Sequence, residues 1–231
     1  MPDVIAFGDS VLKGVISENS KYKICSNNFA EICGKTFGID IENGGKFGNT
    51  IIRGGKIIEK NLEKIKNNSL LKYVIFEFGG NDCDFNWEEI SQNPYKPHFP
   101  NSDIKTFTQT YTSLINKIKE MGKIPVLLSL PPIDAEKYFK KISHNLNSDN
   151  ILKWLGGKVQ HIADWHERYN LEVFNIALNN NVKVIDITSR MLEQPDYSAF
   201  LCEDGIHPNE AGHKIIAESI NEYIKKHNIT L

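Results

Sequence analysis

Strand-like and helical stretches alternate along this chain, and the alternation limits its possible folds more than any other feature. Short runs rich in apolar and β-branched residues occur five times, at residues 4–7, 39–42, 73–78, 124–130 and 182–187. Runs of this length and composition are typical of buried strands. Longer stretches with helical periodicity lie between them, so the chain has the pattern of an α/β protein.

The helical stretches carry their apolar residues on one face. The clearest stretch covers residues 107–121, where apolar residues recur every three or four positions: Phe107, Tyr111, Leu114, Ile115, Ile118 and Met121. Similar patterns cover about residues 50–66, 158–179 and 209–226. Strands that alternate with such helices form right-handed βαβ units, so we expect a parallel sheet with helices on both faces. No internal repeat or linker interrupts the pattern, which predicts a single domain over residues 1–231.

The composition is that of an ordinary globular protein. Hydrophobic residues make up 40% of the 231 residues and charged residues 24%, with a formal net charge of −2. A nucleic-acid partner is not expected, because proteins that bind nucleic acids usually carry a basic patch. The chain begins without a basic, signal-like segment, and no apolar run is long enough to cross a membrane. We therefore expect a cytoplasmic protein with no integral membrane segment; its oligomeric state is left open.

The four cysteines show no metal-binding or disulfide-rich spacing. They are Cys25, Cys33, Cys83 and Cys202, and no CxxC pair occurs among them. In a chain of this size we expect them to be reduced and structural. Cys83 has a second interpretation, since it follows a polar motif directly and would then line a site.

Two connections between elements are longer than simple turns. They cover about residues 83–103 and 132–157, and each follows the carboxyl end of a predicted strand. Long ordered insertions in a compact domain usually have a function, and ligands of open parallel sheets bind at this edge. The two insertions are therefore predicted to form the rim of a site.

Polar turns follow four of the predicted elements. Gly8-Asp9-Ser10 follows the first strand, the glycine-rich residues 43–50 follow the second, and residues 79–82 (Gly-Gly-Asn-Asp) follow the third. Residues 204–208 (Asp-Gly-Ile-His-Pro) lie beyond the fifth strand and a short helical segment. Parallel strands point the same way, so we expect these turns to meet at one edge of the sheet.

The residue types at this edge fit nucleophilic catalysis by a serine. Asp204 and His207 are three positions apart, close enough for the carboxylate to accept a hydrogen bond from one ring nitrogen. The other ring nitrogen is then free to take the proton of Ser10. Asn209 is a candidate N-cap of the final helix, which would hold His207 on a rigid element.

Developing negative charge on a tetrahedral intermediate needs preorganised donors. The backbone N–H groups of Ser10 and Gly48 and the side-chain amide of Asn81 are the candidates for this oxyanion hole. The loss of one such donor typically costs on the order of 10²–10³ in rate.

These blocks, in this order, resemble the four signature blocks of the SGNH (GDSL) hydrolases. The resemblance rests on Phe7-Gly8-Asp9-Ser10, the glycine loop that ends at Gly48, residues 79–82 and Asp204-x-x-His207-Pro208. It implies a flavodoxin-like three-layer α/β/α fold with a central five-stranded parallel sheet. It also implies ester hydrolysis through an acyl-serine, with no metal or organic cofactor.

The resemblance assigns the same roles as the chemistry does. Ser10 is the expected nucleophile, Asp204 and His207 complete the triad, and Gly48 and Asn81 complete the oxyanion hole. Asn49 departs from the family, which often has Asp there. Leu12 matches the family and excludes the G-x-S-x-G elbow of α/β-hydrolases.

Other polar residues near the blocks receive supporting roles. Asp9 is expected to brace the turn, and Asp82 to tie down a loop as an acceptor. A plain helix cap remains the alternative for Ser10. His161 and His166 lie near Asp164, but five positions apart they do not share a helical face. No H-E-x-x-H motif or cysteine partner accompanies them, so a metal site is not favoured. The remaining histidines considered are expected at the surface or in supporting positions: His98, His144, His213 and His227.

The sequence therefore predicts a serine esterase, lipase or acylhydrolase that acts on an ester of a small molecule, lipid or sugar. One alternative is a carbohydrate O-acetylesterase with the same triad. Another is a flavodoxin-like module that binds a small ligand such as a nucleotide or flavin. The acyl length and the alcohol of the substrate are not given by the sequence.

Overall fold

The computed structural model of this protein describes residues 1–229. Its seven strands are β1 (Val4–Gly8), β2 (Val15–Glu18), β3 (Lys21–Ile24), β4 (Ile41–Asn43), β5 (Tyr73–Glu77), β6 (Ile124–Leu128) and β7 (Lys183–Ile185). Five of them form a parallel sheet in the order β4-β1-β5-β6-β7, and β2 and β3 form a separate antiparallel hairpin. The order reverses at β1, so a crevice opens at the carboxyl ends of β1 and β5.

The helices lie on both faces of the sheet and around its carboxyl edge. They are α1 (Ser10–Lys13), α2 (Phe29–Phe37), α3 (Ile51–Asn67), α4 (Trp87–Gln92), α5 (Ile104–Glu120), α6 (Ala135–Ser143), α7 (Ser148–Trp154), α8 (His161–Asn179), α9 (Ser189–Leu192) and α10 (Glu210–Lys226). A short 3₁₀ helix covers Tyr197–Phe200.

Alternate residues of the central strands pack into two separate cores. On one face, Phe76 and Leu127 contact the apolar stripes of α3, α5 and α8. On the other face, Ala6 and Leu128 pack with α2 and α10. Full burial of one such large side chain contributes about 1.5–3 kcal/mol. The sheet is thus covered on both sides, which explains the nearly continuous apolar runs of its strands.

A third apolar cluster lies under the two long insertions. It joins Trp87 and Ile90 of α4 to Tyr138 of α6, Ile151 of α7 and Ile162 of α8. Because each insertion forms helices that pack on the other, the rim is an ordered structure with its own small core. The rim lies at the carboxyl edge of the sheet, next to the crevice.

The predicted three-layer α/β/α fold with a five-stranded parallel sheet is confirmed. Each of the five predicted strands is present, although β4 begins two residues later than expected and β7 is shorter at both ends. The β2–β3 hairpin was not predicted, because its strands are four residues long and β3 is exposed throughout. The single domain over residues 1–231 stays a prediction.

Among residues 1–229, no helix is both long enough and apolar enough to cross a membrane.

Candidate active site

Ser10 stands where the first strand turns into a helix. β1 ends at Gly8, and a Cβ atom at this position would lie 2.6 Å from the carbonyl oxygen of Glu77. Only glycine therefore allows β1 and β5 to approach each other this closely. Asp9 then caps α1, because its Oδ1 accepts a hydrogen bond from the N–H of Val11 at 2.8 Å. This turn places Ser10 at the N-terminus of α1, facing the crevice.

A chain of hydrogen bonds connects Ser10 to His207 and Asp204. Nδ1 of His207 donates to Oδ2 of Asp204 at 2.7 Å, and Nε2 accepts from Oγ of Ser10 at 2.8 Å. We assign the Nδ1–H tautomer because the carboxylate needs a donor. Asp204 is fully buried. Burial raises its pKa, but hydrogen bonds and charge from His207 outweigh burial, and the net pKa lies below the usual range.

The loop that carries His207 is fixed on both sides. The carbonyl of His207 accepts from the N–H of Cys202 at 2.8 Å, within a bridge between Leu201 and Pro208. Asn209 caps α10, as its side chain accepts from the N–H of Gly212 at 3.0 Å. The imidazole therefore extends from a helix start rather than from a free loop.

The predicted oxyanion donors line the same cavity as Ser10. Nδ2 of Asn81 donates one hydrogen bond to Oδ2 of Asp9 at 2.9 Å, which leaves its second N–H unused by that bond. Gly48 has a φ of +65°, a left-handed conformation that glycine adopts without strain. Asp9 thus connects the serine turn to the orientation of the Asn81 amide.

Glu77 is a site residue that the sequence did not indicate. It ends β5, is only 1% exposed, and its Oε2 accepts from the N–H groups of Asp9 at 3.3 Å and Leu12 at 3.2 Å. Burial, and then the negative charge of Asp9, raise the pKa of Glu77 well above its usual range. Burial also raises the pKa of Asp9. We assign the shared proton to Glu77, because the hydrogen bond between the two side chains raises the pKa of Glu77 and lowers that of Asp9. A charged residue at the end of an otherwise apolar strand was the available signal.

Asp82 and Asn49 hold the neighbouring loops together. Both carboxylate oxygens of Asp82 lie within 3.1 Å of the N–H of Ile51, at the start of α3. Burial raises the pKa of Asp82 to about 7. Nδ2 of Asn49 donates to the carbonyl of Gly8 at 3.1 Å, a bond that the family's more frequent Asp would make only when protonated.

The cavity around Ser10 has a volume of about 340 Å³ and mostly apolar walls. Two aromatic rings flank His207 on its open side, Tyr22 of the β2–β3 hairpin at 5.5 Å and Phe47 at 6.1 Å between ring centroids. The predicted rim also contributes, since Asp84 from the first insertion and Tyr138 from the second line the cavity.

For three other residues, the positions in the structure can be compared with those expected from the sequence. Cys83 is buried and lines the cavity, as its second interpretation held. His166 also lines the cavity, although only a metal role had been considered for it. His213 was expected at the surface or in a supporting position, and a surface position is wrong. It is fully buried on α10 and stacks on Phe29, with ring centroids 5.8 Å apart.

A second cavity lies beside the first. It has a volume of about 350 Å³ and is lined mainly by rings, including Phe85, Trp87, Trp154 and Trp165. His161 lines this second cavity, and its Nδ1 bonds to the carbonyl of Leu155 at 2.7 Å. Ile162 lines both cavities and separates them.

Comparisons with known proteins agree with the fold and with the resemblance. A relative in Bacillus subtilis (strain 168), the uncharacterized protein YpmR, is 22% identical over 98% of this chain and 82% of its own length. The crystal structure of a lipase/acylhydrolase from Enterococcus faecalis has a TM-score of 0.70 at 19% identity, and covers 98% of this chain and 97% of that one. A catalytic mutant of Axe2, an acetylxylan esterase from Geobacillus stearothermophilus, has a TM-score of 0.65 at 18% identity over 96% and 93%.

The family model described as "GDSL-like Lipase/Acylhydrolase family" matches residues 6–215, which include all four signature blocks. The predicted class, an ester-cleaving serine hydrolase, is thereby confirmed, and this match favours it over a flavodoxin-like binding module. The chain belongs to the family of GDSL-like lipases and acylhydrolases.

Proposed function

We propose that Ser10, His207 and Asp204 form the catalytic triad of this hydrolase. The observation that carries the proposal is the unbroken hydrogen-bond chain from Ser10 through His207 to Asp204, which opens into the cavity. His207 would take the proton of Ser10 as the serine oxygen attacks the ester carbonyl. The buried charge of Asp204 would stabilise the imidazolium that forms.

The oxyanion of the tetrahedral intermediate would be bound by three donors. They are the N–H groups of Ser10 and Gly48 and the free N–H of Asn81. His207 would next protonate the departing alcohol, which leaves an acyl group on Ser10. It would then activate a water molecule that hydrolyses the acyl-serine. Asp9 and Asp82 hold the donors in position and do not react in this scheme.

The test compares p-nitrophenyl acetate hydrolysis by the wild type, Ser10→Ala and Ser91→Ala. Ser91 is a matched control, because it is a buried serine on α4 whose hydroxyl donates to the carbonyl of Glu88. We expect Ser10→Ala to lose activity by on the order of 10³-fold or more, with loss of fluorophosphonate labelling. Equal rates for Ser10→Ala and the wild type would overturn the proposal.

A second candidate is hydrolysis of acetyl esters of carbohydrates by the same triad. The similarity to an acetylxylan esterase over 96% of the chain supports it. Release of acetate from acetylated oligosaccharides, without cleavage of longer acyl esters, would favour this candidate. Cleavage of octanoyl esters at a similar rate would favour a broader esterase or lipase.

The proposed partners are small ester substrates, and a nucleic-acid partner is not part of the proposal.

We also propose a reducing, cytoplasmic location. All four cysteines are buried and unpaired, which suits a compartment that keeps thiols reduced. Titration with a thiol reagent should detect four thiols in the unfolded protein isolated under non-reducing conditions; fewer would contradict this location.

A further inference from the structure

The cavity that contains Ser10 and His207 also contains a histidine that the proposed mechanism does not use. His166, on α8, is only 7% exposed and lines this cavity. Within residues 1–229, no group forms a hydrogen bond with either of its ring nitrogens. Burial lowers the pKa of His166 to about 4, so its ring is neutral at pH 7. A neutral imidazole offers one donor and one acceptor.

The position of His166 indicates a ligand rather than a packing role. The wall of the same cavity includes Leu130, Ile133 and Ile162, none of which has a polar side chain. His213, the other buried histidine without a ring partner, lies in the core between helices and does not line this cavity. Of these two unpaired rings, only that of His166 can therefore form a hydrogen bond with a molecule that enters the cavity of Ser10.

A second polar group lies in the same cavity. Asp84 accepts two hydrogen bonds on Oδ1, from Nε1 of Trp87 at 2.7 Å and from the hydroxyl of Tyr138 at 2.9 Å. The backbone N–H of Phe85 also interacts with this carboxyl group, but no side chain in the described part of the chain donates to its Oδ2. The carboxyl group is thus held in a fixed orientation by the rim, with acceptor capacity left for a bound molecule.

The charges around the cavity favour a neutral polar group. Asp84 disfavours an anion, and Lys141, which lines the cavity with its Nζ 5.5 Å from the ring of Tyr22, disfavours a cation. A hydroxyl group is neutral and both donates and accepts, so it matches the imidazole of His166. A purely hydrocarbon chain would leave the ring of His166 unpaired.

We propose that His166, together with Asp84, binds a hydroxyl group of the substrate, so that the preferred substrates are esters that carry a free hydroxyl group beside the ester bond. The inference rests on the proposed function, since the substrate must occupy the cavity of Ser10. It names a substrate class that neither the signature blocks nor the triad requires.

The experiment uses two matched substrate pairs. Cyclohexyl acetate and the monoacetate of cyclohexane-1,2-diol differ by one hydroxyl in the alcohol; p-nitrophenyl butyrate and p-nitrophenyl 3-hydroxybutyrate differ by one in the acyl group. We expect the wild type to prefer the hydroxylated member of at least one pair by about 3- to 10-fold in kcat/KM, the worth of one net hydrogen bond.

The variants separate recognition from a general loss of activity. His166→Phe should lose the preference, so that kcat/KM falls more for the hydroxylated ester than for its hydroxyl-free partner, and His166→Asn should retain part of the preference. His161→Phe is the matched control, because it makes the same change on the same helix but outside this cavity. It should keep the wild-type preference.

The outcomes distinguish this inference from the proposed function. Hydrolysis by the wild type without a hydroxyl preference in either pair would overturn the inference alone, and this result needs no variant to fold. Retention of the preference in His166→Phe would also overturn it. Equal rates for Ser10→Ala and the wild type, or no hydrolysis of any of the four esters, would overturn the proposed function and the inference with it.

Discussion

Glu77 illustrates how one buried carboxyl group organises several site residues. Its side chain accepts from the backbone of the serine turn, and its neighbour Asp9 accepts from the amide of Asn81. One proton between Glu77 and Asp9 removes the repulsion that two buried carboxylates would cause. The predicted nucleophile and one predicted oxyanion donor therefore depend on the protonation of a residue outside the triad.

Replacing Glu77 tests this assignment. If Glu77 holds the proton, Glu77→Gln keeps both the acceptor for the backbone and a donor toward Asp9, so we expect it to be at least as stable as the wild type at pH 7. Glu77→Leu leaves the N–H groups of Asp9 and Leu12 unpaired and should cost about 2–4 kcal/mol. Urea unfolding measures both, and a loss above about 2 kcal/mol for Glu77→Gln would contradict the assignment.

The difference in stability between Glu77→Gln and the wild type should change with pH in a definite direction. An acid with a raised pKa stabilises the fold fully below its unfolded pKa, and this stability is lost as pH rises toward the folded pKa. For Glu77, the loss of stability begins near pH 4.5, the ordinary pKa of a glutamate side chain. Glu77→Gln should therefore gain stability relative to the wild type as pH rises from 5 to 8. A constant difference across this range would exclude the raised pKa.

At the scale of elements, the start of α10 fixes the position of His207. Pro208 and Asn209 follow the histidine directly, and Nδ2 of Asn209 also donates to the carbonyl of Ala199 at 2.8 Å. The cap thus joins the last helix to the 3₁₀ helix before it. A helix that begins at this point gives His207 a rigid support.

Removal of the Asn209 cap should lower the stability of the protein but leave its esterase activity. Asn209→Ala loses the acceptor for Gly212 and should cost about 1–2 kcal/mol of stability by thermal or urea unfolding. Asn209→Asp keeps this acceptor and is the control, with a smaller loss. Esterase activity of the folded Asn209→Ala protein should remain, because the backbone bond to Cys202 and the side chain of Asp204 still hold His207. Loss of activity without loss of stability would contradict this view of the cap.

At the scale of the whole molecule, two buried histidines limit stability in acid. Burial lowers the pKa of both His166 and His213 to about 4. Both are neutral in the folded protein, while in the unfolded chain they bind protons below about pH 6.5. The free energy of unfolding is therefore not reduced by these histidines above pH 6.5, and it decreases as the pH falls toward 4. Asp82, whose pKa is raised to about 7, changes stability in the opposite direction over this range.

A comparison between proteins isolates one histidine. Between pH 7 and 4.5, the wild type should lose about 2–3 kcal/mol more stability than His213→Phe, because only the wild type must bury this titrating ring. Phe retains the stacking on Phe29. Urea unfolding at several pH values provides the measurement, and parallel curves for the two proteins would show that His213 does not titrate on unfolding.

The sequence predicted those features that depend on local pattern. The five sheet strands have short apolar runs, and the turns with Ser10, Asn81 and His207 follow strands or precede a helix, so their approximate meeting at one edge could be inferred. The roles of Glu77 and His166 could not. Each depends on which residues face it across the sheet or the rim, and neither periodicity nor spacing contains this information. The β2–β3 hairpin was missed because the polar–apolar alternation of β3 (Lys-Tyr-Lys-Ile) covers only four residues, too few to indicate a strand.

Ser10 and His207 are 197 positions apart, so the proposed reactive pair joins two distant segments of the chain. The proposed triad can therefore form only after a ribosome has synthesised the chain as far as His207. Chains that end just before His207 would contain the serine turn and all five sheet strands, but would lack the proposed base. With this triad, hydrolysis would require both distant segments to be synthesised and folded together, and a nascent chain that ends before His207 would not consume the substrate.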